Sequence, residues 1–251
     1  MKICRFLLIF FASLYNVNFT IASENKEISK EEEINYQQHC SKDLAYLRKN
    51  IEENSAPFKD QDDSAFRKWF DKGYLHTQEL VDGVKDPDDC YYALKFYING
   101  FGNPYMSIRS YIQSPPEKYP GFLTAKYGND HVVIYKDSLI SSLNKINVGN
   151  KITHINDIKI EDYFEKYIMP FYANDDSEFS QRVASIFSFI VNGNRYIPIP
   201  LTATFINDKA EQKISLKYTE LSEEALNVSK NIRQPEPDQH FKIEMVSNGV
   251  W

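Results

Sequence analysis

Between Cys40 and Phe101 the apolar residues recur with a helical period. Cys40, Leu44, Leu47 and Ile51 form an i, i+4, i+7, i+11 stripe, and Phe66, Trp69 and Phe70 mark a second helix beginning near Ser64. A third helix has clear start signals: Asp86 as N-cap, Pro87 at the first helical position, and Asp88 and Asp89 where the helix dipole favours negative charge. Its stripe is Cys90, Leu94, Tyr97, Ile98 and Phe101. After Pro115-Pro116 the period shifts toward two, and Gly121 to Lys126 and His131 to Lys136 predict short strands. In residues 149–160, Gly149 supplies a turn, Ile152 alternates with its neighbours, and Asn156-Asp157 tolerates the left-handed backbone of a tight hairpin. Ile158 and Ile160 then return to the core face. Phe179, Val183, Ile186, Phe187 and Ile190 predict a helix from Asp176, closed by Asn192-Gly193. Leu201, Ala203 and Phe205 alternate with Thr202 and Thr204, and Ile214, Leu216 and Tyr218 alternate beyond an Asn207-Asp208 turn, the pattern of a second hairpin. A short helix over 222–229, a Pro-containing linker at 234–238 and a terminal strand through Phe241, Ile243 and Met245 complete the reading.

These elements predict an α+β fold: an antiparallel three-helix domain over 39–114, a strand-rich domain over 118–220 with an added helix and hairpin, and a linker and terminal strand over 221–251. The stretch ahead of them divides in two. Lys2 and Arg5 precede the apolar run Phe6 to Leu14, and Thr20-Ile21-Ala22 follows, the layout of a secretory signal peptide over 1–22. The run is shorter than the roughly 20 residues needed to span a bilayer. Cys4 lies before the apolar run and not at the cleavage point, so no lipid anchor is expected, and the mature chain is expected to be exported, to the periplasm or the medium. Residues 23–38 are a charged lead-in. At the other end, Gly249-Val250-Trp251 closes an apolar strand whose core the chain does not itself supply, which predicts the front part of something longer.

Composition narrows the chemistry. The net charge is −6 over 251 residues and falls further once the two cations of the leader are removed, which argues against a nucleic-acid partner. Aromatic residues make up 14% of the chain, ample for real cores. Two cysteines remain after the leader, Cys40 and Cys90, both on inward stripes near the starts of their helices, and an up-down-up arrangement brings those ends together. In an oxidising compartment they are expected to pair, contributing about 4 kcal/mol on the chain-entropy view; two separate buried thiols are the alternative.

The segment Gly149-Asn150-Lys151-Ile152-Thr153-His154-Ile155-Asn156-Asp157-Ile158-Lys159-Ile160 resembles the part of PDZ domains reading Gly-Asp-x-Ile-x-x-Ile-Asn-Gly-x-x-Ile, with Asn150 replacing the Asp and Asp157 the Gly. Such modules add an extended peptide to a sheet edge and take its terminal carboxylate on backbone amides. The resemblance implies a carboxylate loop at Pro120-Gly121-Phe122-Leu123, so Gly121, Phe122 and Leu123 are the candidate peptide-binding residues; an ordinary strand start is the alternative. More broadly, Cys40-x-x-Asp43-Leu44, Phe66-x-x-Trp69, Tyr97-Ile98-Asn99-Gly100-Phe101, Tyr119-Pro120-Gly121-Phe122, the 149–160 hairpin and Gly249-Val250-Trp251 together are similar to the non-catalytic front of secreted homologues of the C-terminal processing (tail-specific) serine peptidases. The resemblance implies a PDZ-like second domain and a following α/β catalytic domain with a serine nucleophile, which lies beyond this chain. One departure is Asn103-Pro104-Tyr105, where that family often has Asp-x-His.

No catalytic residue is assigned. Ser142-Leu143-Asn144-Lys145 matches Ser-x-x-Lys, but about one such match is expected by chance in this length, and no glycine-rich oxyanion element accompanies it. The five histidines, His39, His76, His131, His154 and His240, show no paired spacing, and Asp86, Asp88 and Asp89 lack the Gly and closing Glu of a calcium loop; neither metal nor cofactor is expected. Asn227-Val228-Ser229 matches a glycan acceptor. Three functions follow: the peptide-handling front of a serine-peptidase homologue, whose partners are an extended peptide or protein substrate and a separately encoded catalytic domain; a stand-alone secreted peptide- or protein-binding module; or an inert remnant of a disrupted gene.

Overall fold

The structure is a computed structural model that describes residues 35–55, 64–110, 115–140, 143–206 and 210–233. The expected leader, most of the charged lead-in, Ser142, the Asn207-Asp208 turn, the 234–238 linker and the terminal strand lie outside the described residues. The chain is mixed α and β and divides into two compact units. Among the described residues, the first comprises those up to Leu94 together with 108–110, and the second comprises 95–107 together with 115–233.

The first unit is helical. Helix α1 (Tyr36–Asn54) starts three residues ahead of the expected boundary at 39, because the Asn35 side chain accepts from the Gln38 N–H and caps it. Its buried stripe is Cys40, Leu44 and Ile51. Helix α2 (Ser64–Val81) buries Phe66, Phe70, Gly73, Thr77 and Val81. Arg48 of α1 ties the two: its guanidinium lies 4.2 Å from the Phe70 ring centre and 4.5 Å from that of Tyr74, and it pairs with Asp71 at 2.6 Å. Helix α3 (Pro87–Asn99) begins with Asp86 accepting from the Asp89 N–H at 2.9 Å, while the Asp89 carboxylate accepts from the Lys85 N–H. These acidic residues therefore serve as caps. Cys40 and Cys90 form a disulfide, with Cα atoms 5.6 Å apart.

The second unit is built on a sheet. Strands β1 (Lys118–Tyr119), β2 (Phe122–Tyr127), β3 (Asp130–Lys136), β4 (Lys151–Ile155) and β5 (Ile158–Lys159) precede a helical stretch, and β6 (Thr202–Ile206), β7 (Glu211–Ser215) and β8 (Thr219–Glu220) follow it. The principal ladder runs β2-β3-β4-β6-β7, antiparallel throughout, with β5 folded back on β4; β1 and β8 form a separate pair. The 149–160 hairpin turns on Asn156 and Asp157, both left-handed at φ 49° and 63°, as a two-residue turn of this hand requires. At the far border, β7 alternates exposed and half-buried positions, with Lys213 held to Asp157 at 2.5 Å.

One helical stretch was not foreseen. Helix α4 (Ile160–Tyr163), a π turn (Phe164–Ile168) and helix α5 (Met169–Tyr172) run end to end and bury Ile160, Tyr163, Phe164, Ile168, Phe171 and Tyr172. Helix α6 (Glu178–Ser185), capped by Ser177, passes into a 3₁₀ turn (Ile186–Ser188). Helix α7 (Glu223–Ile232) is capped by the Ser222 hydroxyl, which accepts from the Ala225 N–H. One core cluster joins Tyr119, Leu123, Tyr135, Ile186, Ile190 and Ala225, with Val228 and Ile232 of α7 packed on it. Phe122 points elsewhere and meets Phe189 and Phe205 edge-on. Among the described residues no helix is long and apolar enough to cross a membrane.

Candidate functional site

Among the described residues β2 is a border strand, with β3 on one side and no strand on the other. A border strand offers unpaired backbone groups, and here helix α6 packs along it and takes up the Lys126 N–H. The Lys126 N–H donates to the Ser185 hydroxyl at 2.7 Å, and that hydroxyl donates to the Arg182 carbonyl. The Thr124 hydroxyl donates to the Ser185 carbonyl at 3.1 Å, and the Lys126 ammonium bonds the Gln181 side-chain carbonyl. Ser185 and Ala184 are fully buried. The buried face of α6 is therefore its small residues, not the expected stripe: Phe179 and Val183 are half-buried, with Arg182 near Phe179 and Tyr127. A helix can approach a strand backbone this closely only on side chains as small as these.

Gly121, Phe122 and Leu123 stand at the entry of β2, at one end of this seam. All three are buried. Gly121 is left-handed at φ 88°, and a Cβ there would lie 2.4 Å from the Ile140 side chain and 2.8 Å from that of Leu143, so only glycine fits. Its carbonyl accepts from the Asp137 N–H at 2.7 Å. The side chains of Phe122 and Leu123 are spent on two different clusters of core residues. Any ligand contact at this loop would have to come from backbone.

A second place draws histidines together. A cleft of about 320 Å³ is lined by His131, His154, Asp130, Lys151 and Glu161 among others. The His131 ring is buried edge-on against Phe164, and neither ring nitrogen has a hydrogen-bond partner. Burial, and then the Lys126 charge, push its pKa down to about 4 against the opposing pull of Asp130. Lys151 pairs with Asp130 at 2.7 Å. His154 Nδ1 sits 3.0 Å from the Thr153 hydroxyl, which itself reaches Glu211 at 3.1 Å. Glu211 thus holds the hydroxyl instead of the far imidazole nitrogen, so these three groups do not form a nucleophile–base–orienter relay. Among the described residues no group of three or more His, Cys, Asp or Glu side chains is arranged to hold a metal.

The remaining sequence candidates are dispersed. Lys145 is exposed, whereas a lysine base needs burial to lose its proton near neutrality. Tyr105 is exposed in an Asx turn closed by the Asn103 side chain. Ser229 of the glycan-acceptor triplet is buried in α7. Sequence reasoning missed Ser185, Gln181 and Lys126, since a small polar residue in an otherwise apolar stretch carries no local signal of facing a strand border. No protein-family model matches this chain, and no curated protein matches it significantly.

Proposed function

We propose that the second unit is a PDZ-like peptide-handling module in which the β2–α6 seam is the binding groove. In this reading the chain is the non-catalytic front of a secreted homologue of the tail-specific serine peptidases, preceded by an antiparallel three-helix domain. The observation that carries it is the Lys126 N–H held by the Ser185 hydroxyl on a border strand. Strand addition needs a backbone donor that no neighbouring strand holds, and a peptide carbonyl can take over from a serine hydroxyl one for one once the helix yields. The left-handed Gly121 turn at the end of that border supports a terminal carboxylate lying there. The Cys40–Cys90 disulfide supports an oxidising, exported setting.

Titration of the ¹⁵N-labelled chain with octapeptides, free or amidated at the C terminus, tests this. The Lys126, Phe122 and Leu123 amides should move saturably with the free-carboxylate peptides and several-fold less with the amidated ones. Unmoved amides across a varied peptide panel would sink the groove. The stand-alone module uses the same groove and differs in its partner, so recovery of a separate hydrolase chain with the exported protein favours the peptidase reading.

A further inference from the structure

Away from that seam, four residues of the second unit set two cations on a pair of stacked rings. The rings of Tyr172, at the end of α5, and Phe187, in the 3₁₀ turn, stack with centres 4.0 Å apart and planes 6° from parallel. Lys95 places its ammonium 4.8 Å from the Tyr172 ring centre. Arg233, at the C-cap of α7, places its guanidinium 4.6 Å from that of Phe187. Cation–π attraction holds each cation on its ring, but an aromatic face accepts no in-plane N–H.

The Arg233 donors show what is missing. Nε and Nη2 are both buried and neither has a hydrogen-bond partner. These two nitrogens form one edge of the guanidinium, the edge that meets the two oxygens of a carboxylate in parallel. One helical turn earlier on the same face of α7, Ser229 is fully buried and its hydroxyl is also without a partner. A buried charged donor left unmatched is costly, and two on one edge with a hydroxyl behind them define a site by its geometry.

We propose that the Nε–Nη2 edge of Arg233, with Ser229 one turn behind it and Lys95 held on the same aromatic pair, binds a carboxylate group. A carboxylate matches the two parallel donors of that edge with one oxygen to each. Burial and the Arg233 charge together lower the Lys95 pKa to about 8, a repulsion that a bound carboxylate reverses. The site stands independently of the peptide groove.

The test is an acetate titration of the full ¹⁵N-labelled chain at neutral pH, following the arginine Nε–Hε signal of Arg233, with sodium chloride at matched ionic strength as control. The signal should move saturably with acetate and not with chloride. Lys95→Met, which keeps the volume and the Arg233 probe, should weaken acetate binding roughly tenfold. Arg233→Lys, which keeps the charge and loses the fork, should abolish the acetate-dependent rise in melting temperature while leaving the amide spectrum folded. Equal shifts with chloride, undiminished binding in Lys95→Met, or an undiminished rise in Arg233→Lys overturns the site. Tighter binding of inorganic phosphate than of acetate overturns its assignment to a carboxylate.

Discussion

In the helical unit α1 and α2 bury Cys40, Leu44, Ile51, Phe66, Phe70 and Val81 among the described residues, and a disulfide crosses between α1 and α3. In the sheet unit Tyr119, Phe122, Tyr163, Phe164 and Phe189 are all but completely buried, and the sequence there contains no cysteine. Burying one large apolar side chain contributes about 1.5–3 kcal/mol, so the second core can stand on packing. The first, which also buries Tyr92, Ala93 and Leu94 of α3, adds a cross-link that constrains its unfolded ensemble. A covalent contribution is thus present in one unit and absent from the other, and the two should fail under different insults.

Reduction should separate them most sharply. Removing the cross-link with Cys40→Ala and Cys90→Ala should cost the helical unit about 4 kcal/mol, given the 50-residue separation of the two cysteines. Amide exchange should speed up in α1 and α2 while β2 to β4 stay protected. Equal loss of protection in both units would mean that the staple serves the whole chain.

Acid should act on the sheet unit instead. His131 is buried and its pKa lies near 4, below the ordinary 6.5, so the unfolded chain takes up this proton first as the pH falls. Its neutral burial is fully tolerated above pH 6.5, and stability is lost as the pH drops from there toward 4, by about 3 kcal/mol for a shift of this size. Urea unfolding of the sheet unit at pH 7.5 and pH 4 should show that difference, and His131→Leu should flatten it. An unchanged pH slope in the variant would assign the loss to other groups.

The smallest effect concerns the seam. Ser185→Ala removes the acceptor of the Lys126 N–H, which should cost about 1 kcal/mol and accelerate exchange of that single amide. The same change should tighten binding of free-carboxylate peptides, since they no longer compete with the hydroxyl. Weaker peptide binding in this variant would show that Ser185 contributes to the bound state.

Much of this architecture is legible in the chain. The cap at Asp86 and the hairpin at Asn156-Asp157 follow from local chemistry, and the cysteine pair from two helical stripes and an expected up-down-up arrangement. The Ile160–Tyr172 stretch does not. Its buried residues, Ile160, Tyr163, Phe164, Ile168, Phe171 and Tyr172, do recur at helical spacing with Glu161, Asp162, Glu165 and Lys166 exposed opposite, but Pro170 falls within it and reads locally as a break. The β1–β8 pair joins two-residue strands about a hundred positions apart, too short to leave a pattern. The seam was hidden for a related reason: aromatic Phe179 outweighs Ser185 in any hydrophobic stripe, yet contact with a strand backbone selects the smaller residue.

The outermost strand, β7, exposes Glu211, Lys213 and Ser215 in alternation. Opposed charges two positions apart make a poor template for another copy of the same sheet. An incoming strand is discouraged on that flank by charge, and on the opposite one it must first displace the helix that holds the Lys126 N–H.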